Sequence, residues 1–183
     1  MKVFLVGFDV NRFRSLALDG DQSSKVLHFD CTPRSADWSS PAMYCPDPVR
    51  PRPDLWYVGT SSTIAATADA FDKVQTQFEM AGECLPLAAE GERFTLLNVT
   101  ECINCLDHDR SEFLKTADGR KLFPLKYAFH RDRFEENSIF KIPEARTRIL
   151  CVERAQDPEM EFKAAVDTHR LKGLTFQQIW SSD

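Results

Sequence analysis

Five prolines within residues 41–53 constrain the fold more than any other feature of the chain. They are Pro41, Pro46, Pro48, Pro51 and Pro53. Each proline fixes its own φ angle at about −65° and lacks a backbone N–H donor, so the segment can form neither a helix nor a central strand. We predict a surface loop of extended character at about 41–53. A linker is the alternative, but neither flanking side has a convincing core of its own.

The size and aromatic content of the chain favour a single domain that needs no disulfides. The chain has 183 residues, of which 43% are apolar and 14 are phenylalanine. A chain of this length buries about 70% of its unfolded surface, and each large ring contributes roughly 150–250 Å². We expect one domain over residues 1–183, with its six cysteines present as free thiols.

The first apolar run predicts a strand rather than a membrane segment. The run extends from Val3 to Phe8, and we predict a strand at Lys2–Phe8, bounded by the polar residues Asp9 and Asn11. A membrane span needs ~20 apolar residues, and this run is also too short for a signal-peptide core. We expect a cytoplasmic protein that has no membrane partner.

Apolar periodicity predicts a helix in the first half of the chain. Ser61 or Ser62 would cap its start, and Gly82 would end it. Its apolar residues recur at spacings of three and four, which is the helical period. They are Ile64, Ala68, Phe71, Val74 and Phe78.

The second half predicts short strands followed by a final helix. Strands are expected at 94–99, 122–129, 138–142 and 148–152, and Pro124 either places the second of these at a sheet edge or forces a break in it. The final helix would have Asp157 as its cap, Pro158 at its first position and Gly173 at its end. Its inward face would comprise Phe162, Ala165, Val166 and His169, and the tail would pack back through Phe176, Ile179 and Trp180. The predicted class is α+β: a single domain with a mainly antiparallel sheet packed against a few helices.

The charge distribution argues against nucleic acid as a partner. The net charge is −5, whereas a general nucleic-acid binder neutralises phosphates with Lys and Arg. Residues 68–112 carry a local net charge of −7 with three bases, Lys73, Arg93 and Arg110. The ten acids of this segment are Asp69, Asp72, Glu79, Glu83, Glu90, Glu92, Glu101, Asp107, Asp109 and Glu112.

Cys102, Cys105 and His108 form the one cluster with metal-like spacing, and Asp107 or Cys84 would be a fourth ligand. Structural zinc normally takes a second pair of ligands from a distant loop, and the chain has no second motif of that kind. We therefore favour thiols beside a turn and expect neither a metal nor another cofactor. A hydrolase could pair Cys105 or Cys151 with His108, His130 or His169, but none of these stands in a known nucleophile context. No glycine-rich phosphate loop is present.

An ordered series of short motifs across residues 56–180 resembles an immunity protein family of bacterial polymorphic toxin systems, the family numbered eleven. In order they are Gly82-Glu83-Cys84-Leu85-Pro86, Asn98-Val99-Thr100, Cys105-Leu106-Asp107 with Ser111, Ser138-Ile139-Phe140-Lys141-Ile142, Leu171-Lys172-Gly173-Leu174-Thr175-Phe176, and Trp180. Most are packing or turn positions: Gly173 suits a left-handed cap, Phe140 and Phe176 suit a core, and Asp107 suits a turn backbone.

The resemblance implies a protein that binds rather than catalyses. Similar proteins are encoded beside toxins delivered between bacteria, type VI secretion included, and they protect the producer by binding the toxin. The expected partner is thus a cognate toxin or effector encoded nearby. The alternatives are a small intracellular enzyme of unknown reaction and a zinc-dependent adaptor that uses Cys102, Cys105 and His108.

The acidic segment predicts where a basic toxin would make contact. Complementary charge speeds encounter, and aromatic anchors supply affinity. We expect Trp38 or Trp56 to be such an exposed anchor. The predicted toxin interface comprises Trp56, Asp69, Asp72, Asp107, Asp109 and Glu112.

Overall fold

Among the described residues, the fold combines two four-stranded sheets with two helices, a two-stranded ladder and a small hairpin. The computed structural model describes residues 1–20, 22–134, 136–154 and 158–182. Within them the helices are α1 (Ala68–Ala81) and α2 (Phe162–Thr168), and 3-10 turns lie at Ser24–Leu27, Arg131–Arg133, Pro143–Ala145 and Pro158–Met160. The strands are β1 (Lys2–Phe8), β2 (Ala17–Leu18), β3 (Met43–Tyr44), β4 (Leu55–Trp56), β5 (Thr63–Thr67), β6 (Gly82–Ala89), β7 (Glu92–Val99), β8 (Glu112–Lys115), β9 (Lys121–Lys126), β10 (Ile139–Phe140), β11 (Leu150–Glu153) and β12 (Leu174–Ser181).

The first sheet has the strand order β10-β11-β1-β12 and joins both ends of the chain. Strand β1 lies between β11 and β12. Its Phe4 pairs with Cys151 of β11, and its Val6 pairs with Phe176 of β12. The strand predicted at Lys2–Phe8 is confirmed. The C-terminal tail, expected only to pack against the body, forms a full strand beside it.

The second sheet has the order β4-β5-β7-β6 and contains a hairpin that periodicity missed. The strand expected at 94–99 is confirmed as β7, but its partner β6 was not predicted. Pro86 lies in the middle of β6, where it reads as a strand breaker. It is tolerated because β6 is the edge strand of the sheet, where a missing N–H need not remove a ladder bond.

Helix α1 begins later than predicted because the residues before it form a strand. Ile64 belongs to β5 and pairs with Leu97 of β7. The cap is Thr67, whose side-chain oxygen accepts a hydrogen bond from the N–H of Ala70 at 3.3 Å, so the predicted cap at Ser61 or Ser62 is wrong. The β-branched residues of β5 suit a buried strand between two neighbours, and that pairing outweighs the helical spacing. The predicted end at Gly82 is confirmed.

The final helix is shorter than predicted. Pro158 begins a 3-10 turn, and α2 starts only at Phe162. It ends at Thr168 with His169 as its C-cap, so the predicted end at Gly173 is wrong. Ala165 and Val166 are buried as expected, but His169 is exposed. The predicted cap, Asp157, lies outside the described residues.

Three hydrophobic clusters hold these elements together, and the predicted α+β class is confirmed. The first fills the space between the helices and both sheets, with Phe78 and Phe162 in contact at 5.9 Å between ring centroids. The second lies on the other face of β6 and β7, under the loops of the first half, and includes Phe29 and Trp56. The third lies on the other face of the first sheet around Phe129. All the strand pairs within the described residues are antiparallel, apart from isolated bridges.

The proline-rich segment 41–53 contains only the two-residue strand β3, which pairs with β2 in a separate ladder. Pro41 and Pro53 are buried at its ends, whereas Val49 near its middle is 89% exposed. The segment therefore runs over the surface between two anchored prolines, as their fixed φ angles require.

Candidate partner-binding surface

The two tryptophans considered as anchors are both held by the protein itself. Trp56 is only 3% exposed and packs edge-on against Phe94, with 5.4 Å between ring centroids, so the prediction of an exposed anchor there is wrong. Strand β4 points this ring into the second cluster. Trp38 is half-buried, and its indole N–H donates to the carbonyl of Pro86 at 2.8 Å. It covers the outer edge of β6 and keeps only part of its ring in solvent.

Asp107 stabilises a turn, as its place in the sequence predicted. Its Oδ1 accepts the backbone N–H groups of Asp109 and Arg110, both at 3.1 Å, and the residue is only 8% exposed. Burial opposes the charged form, but these two donors outweigh it and hold the pKa of Asp107 below its ordinary value. This carboxylate is thus committed to its own loop.

The other acids of the predicted interface do not form one patch. Asp69 and Asp72 lie on the exposed face of α1, which packs on the first cluster. Asp109 is exposed in the turn that follows Asp107, and Glu112 pairs with Lys126 at 3.1 Å across the β8–β9 hairpin. That turn and hairpin adjoin the third cluster instead. Three carboxylates of the predicted interface therefore face solvent and have no hydrogen-bond or ion-pair partner among the described residues: Asp69, Asp72 and Asp109.

Several further acids of residues 68–112 bind the chain rather than face a partner. Glu90 accepts the backbone N–H of Cys45 at 2.9 Å, and Glu92 forms a salt bridge with Arg52. Both contacts tie the tip of the β6–β7 hairpin to the proline-rich segment. The local charge of −7 thus overstates how much negative charge is free to meet another molecule.

Glu83 is the most fully bonded acid of this segment. Its carboxylate accepts the backbone N–H of Arg34 at 2.6 Å, the backbone N–H of Ser35 at 3.1 Å and the side-chain amide of Asn98 at 2.8 Å. Burial opposes ionisation, yet these donors prevail and lower the pKa of Glu83 to about 2. Two of the motifs that carry the family resemblance, the one with Glu83 and the one with Asn98, therefore bind each other in the fold.

Glu83→Gln is expected to lower the free energy of unfolding at pH 7 by about 1.5–3 kcal/mol, because a neutral amide replaces a charge-assisted acceptor. The folded-state pKa lies below the unfolded value of 4.5, so the stabilisation is complete above pH 4.5 and is lost as the pH falls towards 2. Urea denaturation at pH 7 and pH 2.5 measures both effects. Glu79→Gln, on the exposed face of α1, is the control and should change stability by less than about 0.5 kcal/mol. A difference between wild type and Glu83→Gln that is equal at both pH values would contradict this role.

The residues with metal-like spacing are not brought together. Cys105 is buried in the third cluster, whereas Cys102 is half-buried and lies beside Cys31. His108 binds Glu144 and stacks on Phe113. Among the residues described, no group of three His, Cys, Asp or Glu side chains is placed to hold a metal ion. The six thiols are all free, as predicted.

The two thiols of the hydrolase alternative, Cys105 and Cys151, are poorly suited to nucleophilic chemistry. Burial raises the pKa of Cys105 to about 12 and raises that of Cys151 as well. A reactive cysteine requires the opposite, a lowered pKa that supplies thiolate at neutral pH. Neither Cys105 nor Cys151, the two cysteines of the hydrolase alternative, has the lowered pKa of a nucleophilic thiol.

Lys141 is the charged group that sequence reasoning missed. It is 0% exposed, and its ammonium donates to the carbonyls of Phe29 at 2.9 Å and Ser62 at 2.8 Å. Burial lowers its pKa to about 8. In the sequence, Lys141 lies between Phe140 and Ile142 of the Ser138–Ile142 motif. Strand alternation places its side chain on the face opposite to theirs, but alternation does not show whether that face is buried. Lys141 joins the second and third clusters.

A groove of about 550 Å³ lies between the start of α1 and the uncovered face of β6 and β7. Ala68 and Phe71 form one side, and Pro86 and Ala88 form the other. Its lining contains Arg93 but no histidine or carboxylate. The groove therefore offers apolar contact area and no acid–base pair.

The fold and these sites together define a small α+β protein whose buried ionisable groups serve its own architecture. Residues 66–181 match the immunity protein family Imm11, so the chain belongs to that family. This match confirms the resemblance drawn from the motifs, and it includes both Glu83 and Lys141. No curated protein shows significant similarity to the chain. None of the helices in the described ranges is both long enough and apolar enough to cross a membrane.

Proposed function

We propose that this protein binds a cognate antibacterial toxin in the cytoplasm of the producing cell and neutralises it by occlusion. Membership of the Imm11 immunity protein family carries the proposal. Protection against a toxin in the same cell requires tight binding, which a standard interface of roughly 1,200–2,000 Å² provides. The chain from residue 1 to 183 acts as one binding unit, without catalysis and without a cofactor. The toxin is encoded beside it.

The solvent-facing carboxylates Asp69, Asp72 and Asp109 assist the encounter. They remain free for a partner, whereas Asp107 and Glu112 bind within the chain. A negative surface accelerates association with a basic toxin, and exposed charges of this kind act mainly on the association rate. These acids steer the toxin and need not lie at the centre of the contact.

Co-expression with the toxin reading frame beside the gene tests the proposal. Cells that produce the toxin alone should stop growing, and cells that also produce this protein should grow and yield a complex of the two on purification. A toxin that neither forms a complex nor loses its effect in these cells would refute the proposal.

Reversing the three free charges tests their role in encounter. We expect the combined variant Asp69→Lys, Asp72→Lys and Asp109→Lys to slow association with an inactivated form of that toxin by about tenfold or more at low salt, with little change in dissociation. Surface plasmon resonance at low and high salt measures both rates. Asp37→Lys with Asp132→Lys, which reverses two exposed acids outside residues 68–112, is the control. If the triple variant and the control variant associate at the same rate, the three carboxylates have no specific role in the encounter with the toxin.

A further inference from the structure

The β8–β9 hairpin carries most of the large apolar side chains that the described protein leaves in solvent. Its exposed residues are Leu114 (39%), Leu122 (44%), Phe123 (37%) and Leu125 (60%). Seven large hydrophobic residues are exposed in the described part of the chain, and these are four of them. Single exposed apolar residues are ordinary, but a cluster on one projecting element indicates a contact surface.

The strand register explains why one face of the hairpin is free. Phe113 pairs with Pro124, and these two residues pack towards the body, where Pro124 is buried and Phe113 adjoins the third cluster. Leu114 pairs with Phe123 on the opposite face, and Leu125 follows Pro124 on that same side. None of the three hydrophobic clusters of the described residues includes Leu114 or Leu125, whereas Arg148 lies over the ring of Phe123 with its guanidinium 5.8 Å from the ring centroid. Folding alone therefore does not account for the apolar character of the two leucines.

The backbone of the hairpin is also available. Its two strands form a sheet of their own, so among the described residues no neighbouring strand pairs with the outer edge of either one. An isolated hairpin is marginally stable in water, and an open edge is a template for pairing with another chain. This hairpin is secured at its base by the Glu112–Lys126 ion pair and by Phe113, which leaves the outer face and edges to a partner.

The charges around the apolar face select the kind of partner. The hairpin contains four bases, and one of them, Lys126, is paired with Glu112. The other acid, Asp118, binds Thr116. Lys115 and Arg120 are exposed at or near the tip, whereas the ammonium of Lys121 lies over the ring of Phe113, 4.3 Å from its centroid. These two bases beside leucine and phenylalanine complement an apolar cleft that carboxylates border, which is a local feature compatible with a toxin of positive net charge.

We propose that the β8–β9 hairpin is the anchor that inserts into the toxin, with Leu114, Phe123 and Leu125 in an apolar cleft of the toxin whose rim is acidic. This assignment rests on the proposed function, since it names the surface through which the toxin is occluded. Buried apolar anchors supply most of the affinity of an interface, and the free acids elsewhere supply rate. Nucleic acid fits less well, because single-strand binders stack successive bases on several rings, whereas Phe123 is the one ring among these three outward side chains.

Truncation of the outward side chains tests the assignment with the full-length protein. The probe is the inactivated toxin domain encoded beside the gene, and isothermal titration calorimetry measures Kd. Leu125→Ala and Phe123→Ala should each raise Kd by roughly 30-fold or more, as expected for central anchors. Val49→Ala removes a more exposed aliphatic side chain (89%) from the proline-rich segment and should leave Kd within about threefold. Unchanged thermal unfolding of Leu125→Ala confirms that the fold is intact.

Charge reversal tests the acidic rim. Lys115→Glu combined with Arg120→Glu should raise Kd by about tenfold or more and weaken its dependence on salt. Lys25→Glu, at an exposed lysine of the first 3-10 turn, is the control and should have little effect.

The outcomes separate this assignment from the proposed function. Failure of the wild-type protein to bind the toxin overturns both. Tight binding by the wild type and equally tight binding by the hairpin variants overturns the hairpin assignment alone. Two other occupants would also overturn it: a labelled nucleic-acid duplex whose binding depends on Leu125, or a wild-type dimer in sedimentation that Leu125→Ala dissociates without change in toxin affinity.

Discussion

Gly173→Ala is expected to destabilise the protein by about 4 kcal/mol or more, enough to remove most of the stability of an ordinary domain. Gly173 has a φ angle of +116°, and a Cβ atom there would lie 1.9 Å from the carbonyl oxygen of Leu55 and 2.7 Å from Cβ of Pro53. The left-handed conformation strains any other residue, and the contact with backbone cannot be relieved by a side-chain rotation. The backbone there is also fixed, because the carbonyl of Lys172 accepts the N–H groups of both Asp54 and Leu55.

Gly119→Ala separates the close approach from the backbone strain. Gly119 has a φ angle of +83° in the turn between β8 and β9, but a Cβ there meets nothing within 4 Å. Its replacement should cost only the strain of about 1–2 kcal/mol. Urea denaturation of both variants measures the difference. If the two substitutions cost the same, the approach to Leu55 contributes nothing and the explanation fails.

Lys141→Ala is expected to lower the free energy of unfolding by about 3–5 kcal/mol. The substitution leaves the carbonyls of Phe29 and Ser62 without their buried donor, and it opens a cavity where the lysine chain lay. Relief from burying a positive charge offsets part of this loss. Lys141→Met fills the same space and should retain more stability than Lys141→Ala. Lys115→Ala, at an exposed lysine, should change stability by less than about 0.5 kcal/mol.

The pH dependence isolates the charge of Lys141. Its pKa is about 8 in the folded protein and 10.5 in the unfolded chain, so the folded state binds fewer protons between those values. The free energy of unfolding of the wild-type protein, measured relative to that of Lys141→Met, therefore rises with pH in that window by as much as about 3 kcal/mol. Denaturation at pH 7 and pH 10 gives this difference, in which the ionisation of cysteines common to both proteins largely cancels. A constant difference between wild type and Lys141→Met would show that the ammonium is not desolvated in this way.

Local patterns predicted the elements whose side chains alternate or repeat cleanly. The run Lys2–Phe8 and the segment around Phe94 became strands, and Gly82 ended the first helix. The pattern misled where two periods coincide: Ile64 lies on the apolar stripe of a helix and also in a buried strand. Strand β6 was missed because Pro86 interrupts it, and only its position at a sheet edge makes that proline acceptable.

The candidate surface was predictable only in part. Counting acids located a negative segment, but the count could not reveal that Glu83 and Asp107 bind backbone N–H groups. The residue type of Trp56 does not show whether its side chain faces a partner or the core. The exposed hairpin was hidden for the complementary reason, because an apolar residue such as Leu125 suggests a core position until the strand register is known.

The sequence by itself determined the family, the α+β class and the order of motifs along the chain, because these depend on residue type and local spacing. Only the tertiary structure decided what the motifs do: Glu83 meets Asn98, Lys141 reaches Phe29, and Gly173 lies against Leu55. Each contact joins residues at least 15 positions apart. Their energies depend on distances and burial that the folding of the whole chain sets, and a local pattern contains no information on either.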